Sequence, residues 1–245
     1  MDRVRAEVTV DVSKSPEKIS GMFDAIAGNY DFLNHLLSAG IDKRWRARAV
    51  RSLVLSGRER VLDLCTGTGD LAIAARRASP PAQSVVGVDF STEMLRVGLD
   101  KLRALRLEPS VTLVRGDATR IPLADGVVDG VTIGFGIRNV QNTAAACAEI
   151  HRVLRPAGRL AILEFAIPTT PLVSGAYRFY FNRVLPAIGR LISKHNAAYG
   201  YLPASVGAFA SPDEFVKVLR HAGFVEVQAS PLTFGIVYLY TARRA

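Results

Sequence analysis

Val61-Leu-Asp-Leu-Cys-Thr-Gly-Thr-Gly-Asp70 is the stretch that decides how this chain folds, and Asp89 follows 20 residues after Gly69. The apolar start of the stretch predicts a buried parallel strand, and the residues from Leu71 onward predict a helix behind it. Gly67 and Gly69 let the backbone approach a ligand where a Cβ atom would collide. Asp89 ends the next apolar run, where its carboxylate can accept hydrogen bonds from two ribose hydroxyls. We therefore expect an adenosine-containing cofactor.

Three further residues bear on which cofactor this is, because Gly67-x-Gly69-x-x-Ala72 also satisfies the dinucleotide fingerprint. Asp63 lies inside the strand before the loop, where a carboxylate would face the amino group of a methionine moiety but would repel a pyrophosphate. Asp117 and Ala118 follow the third predicted strand, and the carboxylate is suited to accept from an adenine amino group. These features favour S-adenosylmethionine (SAM) over a dinucleotide.

Strands and helices alternate along most of the chain. Strands are expected near 60–65, 85–89, 111–115, 128–134, 158–165, 225–230 and 235–242. Helices are expected at about 70–78, 91–106, 142–154 and 211–222. This alternation predicts an α/β fold with a doubly wound, mostly parallel, seven-stranded sheet of Rossmann-like type that binds ligands at the carboxyl ends of its strands. The last two strands, joined by Ser230-Pro231, form a hairpin that is foreign to the dinucleotide fold and usual in proteins that bind SAM.

The 245 residues, 49% of them hydrophobic, predict a single domain over 1–245. Helices precede the first strand, beginning at Ser15-Pro16, and form an N-terminal helical cover over 1–56. Residues 166–210 interrupt the alternation of strands and helices. We expect this insertion to stand over the same edge of the sheet as a lid and substrate wall.

Composition limits the compartment and the cofactor. The sequence contains no run of 18 apolar residues that would predict a transmembrane helix, and we expect no secretory signal at the N-terminus. Cys65 and Cys147 are expected in the core rather than in a disulfide or metal site, and the four histidines lack metal-ligand spacing. We therefore expect a metal-free cytoplasmic protein, with peripheral association at the inner face of the membrane left open.

The net charge of +9 is concentrated in two segments. Five cations fall within residues 43–51, and residues 165–212 combine cations and aromatic residues without a single Asp or Glu. Cations among aromatic and apolar residues are typical of a surface that binds an anionic membrane or an apolar ligand. They would also suit nucleic acid, where aromatic rings stack on bases, or a solvated face above ordinary core aromatics.

Four separated motifs, in order, resemble the menaquinone/ubiquinone biosynthesis C-methyltransferases, and the resemblance runs from about residue 17 to the end. The motifs are Tyr30-Asp-Phe-Leu-Asn-His-Leu-Leu-Ser38 with Trp45 after it, Gly134-Phe-Gly-Ile-Arg-Asn-Val140, Arg152-Val-Leu-Arg-Pro-Ala-Gly-Arg-Leu160 with Leu163-Glu-Phe165, and Tyr201-Leu-Pro-Ala-Ser-Val206. The chain departs from the family pattern at Leu33, Asp42, Ala157 and Gly134, where the family usually has Met, His, Gly and often Ser. The resemblance implies that Gly134 lacks a hydroxyl that touches the cofactor in relatives, which leaves at most a backbone contact there.

The resemblance implies SAM contacts at Thr68, Asp89, Asp117 and Ala118. It also implies a substrate with a quinol head and a long isoprenoid tail, which would explain an acid-free, apolar, cationic insertion. Among quinols, demethylmenaquinol is favoured over a benzoquinol of ubiquinone synthesis. A non-catalytic SAM-binding component of a quinone-synthesis complex is the alternative, and a homodimer is left open.

Methylation of a quinol ring carbon requires a group that accepts or stabilises a phenolic proton. The ring carbon attacks the methyl group of SAM only when the quinol loses that proton. Arg138, beyond the fourth strand, is the first candidate, as a cation that holds the phenolate. His35 is a candidate general base near neutral pH. Tyr30 and Tyr201 come from the cover and the insertion. A nucleic-acid methyltransferase is the rival, but Gly134-Phe-Gly-Ile-Arg occupies the place of an Asn-Pro-Pro-Tyr motif, so we expect no specific nucleic acid.

Overall fold

The computed structural model describes residues 15–31, 38, 40–171, 174–175, 177 and 196–245. The strands are β1 (Arg60–Leu64), β2 (Ser84–Asp89), β3 (Val111–Arg115), β4 (Val128–Gly134), β5 (Leu154–Phe165), β6 (Phe224–Leu232) and β7 (Val237–Arg244). The helices are α1 (Pro16–Ile26), α2 (Asp42–Ser52), α3 (Asp70–Arg76), α4 (Thr92–Leu105), α5 (Thr143–Val153), α6 (Asn196–Gly207) and α7 (Pro212–His221). Short 3₁₀ turns occupy Ala27–Asn29, Ile137–Asn139 and Thr233–Gly235.

The seven strands form one sheet in the order β3-β2-β1-β4-β5-β7-β6. Strands β1 to β5 run parallel, and β7 is inserted antiparallel between β5 and β6. The order reverses between β1 and β4, which is where a doubly wound sheet opens a crevice at its carboxyl edge. The predicted fold class is therefore confirmed. We call the edge formed by the carboxyl ends of β1 to β5 the rim.

Both faces of the sheet are covered, as a parallel sheet requires. Leu62 and Leu64 of β1 pack into one apolar cluster with α5 and α7, while Val61 packs into a second cluster with α2 and α3. Because side chains alternate along a strand, Asp63 lies on the α3 side with Val61. Burial of these two clusters supplies the main stabilising free energy of the fold.

Two element boundaries differ from the prediction. The β6–β7 connection was expected at Ser230-Pro231, but β6 continues to Leu232 and the turn is Thr233–Gly235. β6 is the edge strand, which is the position in a sheet where proline is tolerated. Strand β5 begins at Leu154 rather than 158, with an irregular register near Ala157, whose φ is +63°.

The N-terminal cover begins as predicted, with Ser15 accepting a hydrogen bond from the backbone N–H of Lys18 and with proline at the first helical position. Helix α1 packs on α4 and on α6, and α6 also contacts the Ile137–Asn139 turn. The described part of the insertion therefore stands at the rim. Residues 32–37 of the predicted helical cover lie outside the described residues. None of the described helices is long and apolar enough to cross a bilayer.

Candidate functional site

A cavity of about 370 Å³ opens at the rim above β1, β2 and β4, within the size range of small-molecule sites. Side chains of α1 and the segment after it, among them Phe23 and Tyr30, form its roof. Five of the eight residues predicted to bind the cofactor line this cavity, and they are Gly67, Asp89, Asp117, Ala118 and Gly134. The other three, Asp63, Thr68 and Gly69, are absent from its described lining.

Asp89 ends β2 on the cavity wall, and its carboxylate is held by the glycine loop. One oxygen accepts the backbone N–H of Gly67 at 2.7 Å, and the other accepts that of Ser91 at 2.9 Å. Burial raises the pKa of Asp89, and these backbone donors partly oppose the rise. The loop thereby fixes an acceptor of hydrogen bonds at the point where the sequence predicted one.

Asp63 lies behind the cavity wall. Its oxygens accept from the Thr66 hydroxyl at 2.6 Å, the Thr132 hydroxyl at 2.7 Å and the Ala72 backbone N–H at 3.1 Å. Burial raises the pKa of this carboxyl to about 6. Asp63 is absent from the described cavity lining, whereas its neighbour Leu64, whose side chain points to the other face of the strand, is part of it. Its carboxylate holds the loop and the start of α3 instead.

Thr68 faces away from the cavity, toward the cover and α4. Its hydroxyl donates to Asp31 at 2.5 Å and accepts from the Lys101 ammonium at 3.1 Å. Lys101 also contacts Asp31 and Asp70, at 2.6 Å each. The glycine loop is thus fastened to the N-terminal cover through side chains whose contacts span more than 30 positions of sequence, so local patterns gave no signal for Lys101.

The glycine loop is tightly packed against the residues after β4. A Cβ atom on Gly136 would lie 2.3 Å from the Cβ atom of Cys65, and one on Gly134 would lie 2.8 Å from a methyl of Leu71. Cys65 itself has a φ of +55°. Glycine at 136 therefore lets the two loops meet at the cavity floor, while a Cβ atom at 134 would require the flexible Leu71 side chain to shift. Gly136 was not among the predicted site residues, although the spacing Gly134-Phe-Gly136 carried the signal.

Arg138 does not face the cavity as the sequence suggested. Its guanidinium lies 2.7 Å from the carboxylate of Glu164, which is 0% exposed, and also donates to the carbonyl of Phe135 and, at 3.3 Å, to the Ser205 hydroxyl. The group packs over the Phe165 ring as well. Because Glu164 balances its charge, Arg138 is a buried ion pair one layer behind the wall rather than a cation exposed to a phenolate.

The tyrosines differ in placement. Tyr30 lines the cavity from the cover. Tyr201 of α6 is buried, and its hydroxyl donates at 3.1 Å to the side-chain oxygen of Asn139, a residue of the cavity wall. Burial raises the pKa of Tyr201, so this hydroxyl keeps its proton at neutral pH. His35 lies outside the described residues.

Two further kinds of reactive group are metal-ligating side chains and cysteine thiols. Within the described ranges, no group of His, Cys, Asp and Glu side chains has the arrangement of a metal site. Cys65 lines the cavity and Cys147 is buried in the core, and both thiols are free. Burial raises the pKa of each thiol, which leaves both as weak nucleophiles.

Comparisons with known proteins agree with this geometry. The profile of the ubiE/COQ5 methyltransferase family matches residues 11–244. The chain is 50% identical over 224 residues to the ubiquinone/menaquinone biosynthesis C-methyltransferase UbiE of Syntrophotalea carbinolica, covering 91% of this chain and 93% of that protein. It is 45% identical over 223 residues to the demethylmenaquinone methyltransferase of Thermus thermophilus, covering 91% and 100%.

Solved structures show the same fold at low identity. The [4+2]-cyclase SpnF aligns with a TM-score of 0.67 and 17% identity, over 96% of this chain and 98% of that one. Phosphoethanolamine N-methyltransferase 2 of Haemonchus contortus, solved with S-adenosylhomocysteine, aligns with a TM-score of 0.57 and 17% identity, over 76% and 49%. These structural similarities show the fold but not which molecule accepts the methyl group.

Proposed function

This chain belongs to the ubiE/COQ5 methyltransferase family, and on that premise we propose that its acceptor is a prenylated quinol, demethylmenaquinol in preference to a benzoquinol. The protein is a SAM-dependent C-methyltransferase. The observation that carries the proposal is a rim cavity whose floor is glycine backbone and carboxylate and whose roof, formed by α1 and the segment after it, is apolar and aromatic.

The cavity residues fit SAM. Asp89 would accept the ribose hydroxyls, Asp117 and Ala118 would hold the adenine, and the backbone at Gly67 and Gly134 would admit the rest of the molecule. The cofactor supplies a methyl group on a sulfonium, which is already a good leaving group. The protein therefore has to prepare the acceptor rather than the donor.

Preparing the acceptor means removing a phenolic proton. A quinone ring is electron-poor and does not attack, whereas a quinol that loses a proton places negative charge on the ortho carbon. The site needs a proton acceptor and a straight line of attack. From the sequence, we assign to His35 the role of accepting the phenolic proton. We assign contact with the quinol ring to Tyr30, which lines the cavity.

Arg138 and Tyr201 act in this proposal through the Ile137–Asn139 turn. Tyr201 holds Asn139 on the cavity wall, and Arg138 ties the turn to Glu164 at the end of β5. By fixing this turn, both residues would position the acceptor beside the methyl group. Loss of either residue should lower the rate more than it lowers SAM affinity.

The choice of demethylmenaquinol draws on the relatives' names and the apolar roof. The relatives from Thermus thermophilus and Bacteroides fragilis are named demethylmenaquinone methyltransferases, at 45% and 39% identity, while the UbiE relatives carry both quinones in their name. We further propose one domain over 1–245, with residues 1–56 as the cover and 166–210 as a lid that meets the membrane surface. The acid-free composition of 165–212 supports that contact.

A single-turnover experiment tests the acceptor. The protein is mixed with SAM and with demethylmenaquinol or the corresponding benzoquinol, each reduced or oxidised, and products are identified by mass. We expect one added methyl group on carbon, from reduced substrate only and faster with the naphthoquinol. Faster reaction of the benzoquinol would reverse the choice of head group, and SAM binding without any product would favour a non-catalytic component of a quinone-synthesis complex.

A further inference from the structure

Phe234 is the most exposed large hydrophobic residue in the described part of the chain, at 80%. It occupies the tip of the Thr233–Gly235 turn with φ +58° and ψ +25°, a left-handed conformation that a bulky side chain rarely adopts. A glycine at this position would relieve the backbone strain, and little buried surface would be lost because the Phe234 side chain is largely exposed. A strained and exposed aromatic residue is a starting point for a functional hypothesis, which its surroundings must then support.

The turn that carries Phe234 is firmly fixed. The indole N–H of Trp45 donates to the Thr233 hydroxyl at 2.8 Å. The Trp45 ring packs in turn against Phe135 and Phe165, at centroid distances of 6.0 and 6.5 Å. Phe234 is therefore presented to solvent from a rigid aromatic base.

A second exposed apolar residue lies beside this tip. The backbone N–H of Ala166 donates to the carbonyl of Ile236 at 3.0 Å, which joins the end of β5 to the start of β7. Ile167 follows and is 52% exposed. Both Phe234 and Ile167 lie at the rim, where the lid insertion begins.

Helix α2 places positive charge at the same edge of the sheet. Its only acid, Asp42, is buried against Arg46. The exposed charged residues of the helix are all cations, and they are Lys43, Arg44, Arg48 and Arg51. Trp45, in the first turn of α2, lies at the rim, and Leu53, just after the last residue of α2, packs near Gly130 in the first half of β4. Lys43 and Arg44 are therefore at its rim end.

We propose that Phe234, Ile167, Lys43 and Arg44, together the rim patch, dock the protein onto an anionic lipid bilayer. An aromatic ring at the headgroup level with cations beside it is the arrangement that an anionic membrane interface favours. A phosphate-rich nucleic acid would use the cations and leave the two apolar residues in water. This inference rests on the proposed function only for the reason to dock, since a prenylated quinol resides in the bilayer.

Vesicle binding tests the apolar half of the rim patch. The full chain is sedimented with phosphatidylcholine vesicles that contain or lack phosphatidylglycerol, and we expect binding to the anionic vesicles. Phe234→Gly should weaken that binding about ten-fold, because it removes an aromatic side chain that becomes buried in the bilayer interface on docking. The matched control is Val54→Gly, which removes a 63% exposed side chain with φ +53° beyond the other end of α2 and should bind as the wild type does.

A charge-matched pair tests the cationic half. Lys43→Ser with Arg44→Ser should lower the affinity for anionic vesicles about ten-fold or more, since each cation near such a surface contributes to attraction. Arg58→Ser with Arg77→Ser removes the same charge from exposed positions before β1 and after α3. This control should have little effect.

Three results would overturn the proposal. They are absence of wild-type binding to anionic vesicles, equal losses in the rim-patch and control variants, and self-association that Phe234→Gly abolishes without any vesicle binding. Methyl transfer to a short-tailed quinol in solution separates this proposal from the proposed function. Phe234→Gly should leave that rate unchanged, and vesicle binding by a protein without such activity would contradict the proposed acceptor alone.

Discussion

The ammonium of Lys101 in α4 lies 2.6 Å from a carboxylate oxygen of Asp31, a residue of the N-terminal cover. The same ammonium contacts Asp70 at 2.6 Å and the Thr68 hydroxyl at 3.1 Å. A second carboxylate of the cover, Asp24 in α1, accepts from the backbone N–H of Glu93 at the start of α4. The cover is thus attached to the cofactor loop and to the helix after β2, on both sides of the cavity.

Lys101→Met should loosen this attachment, because Asp31 and Asp70 would be left facing each other without a cation between them. Lys101 is partly exposed, so we expect a loss of about 1 kcal/mol, seen as about five-fold weaker SAM binding and faster amide exchange over residues 16–31. The control is Arg103→Met on the same helix, whose partner Asp100 is exposed. Equal effects of both substitutions would contradict the role of Lys101.

Gly136→Ala should push the loops after β1 and β4 apart, because the new Cβ atom would lie 2.3 Å from that of Cys65. We expect a loss of about 2 kcal/mol in the free energy of unfolding, measured by denaturant titration, together with weaker SAM binding. Adding Cys65→Gly removes the opposing Cβ atom and a left-handed side chain. The double variant should recover most of both losses, and a double variant as impaired as the single one would contradict the contact.

Glu164→Gln should leave the buried guanidinium of Arg138 without its counter-charge. The expected cost is about 3 kcal/mol of unfolding free energy, by urea titration, because an unbalanced buried charge is penalised. Adding Arg138→Met removes that charge and should restore part of the stability. SAM affinity should change little in both, since neither residue is part of the described cavity lining. A larger loss in the double variant would argue against a mutually compensating pair.

Stability should depend on pH through Asp63, whose pKa burial raises from 3.8 to about 6. A raised carboxyl pKa means that the folded state binds the proton more tightly than the unfolded chain does between pH 4 and 6. The contribution of Asp63 to unfolding free energy therefore falls as the pH rises through that window. Relative to Asp63→Asn, the wild type should lose about 2 kcal/mol from pH 4 to pH 7 in chemical denaturation. A difference that is constant or rises with pH would contradict this.

The fold could be predicted from the sequence because its signals are local. Apolar runs and glycine-containing turns marked β1 to β4 to within a residue or two, and Ser15 and Ser91 marked helix starts. The β6–β7 turn was misplaced because Pro231 ends strands in most contexts but is tolerated in an edge strand.

The site was harder to predict where side chains meet across the fold. Asp89 and Asp117 stand at strand ends, a position that the sequence pattern reports directly. The charged partners of Thr68 and Arg138 lie 26 to 37 positions away along the chain, so spacing alone carried no information on them. The neutralisation of Arg138 by Glu164 changed its expected role from a cation facing substrate to a residue that fixes a turn.

Calorimetric titration of SAM into Asp89→Asn tests the central claim most directly. The substitution keeps the shape of the side chain and removes the carboxylate that the glycine loop holds on the cavity wall. We expect about ten-fold weaker SAM binding in this variant, and no change in the control Asp100→Asn, an exposed position on α4. SAM uptake that is unchanged in Asp89→Asn, or binding of NADH in place of SAM by the wild type, would contradict it.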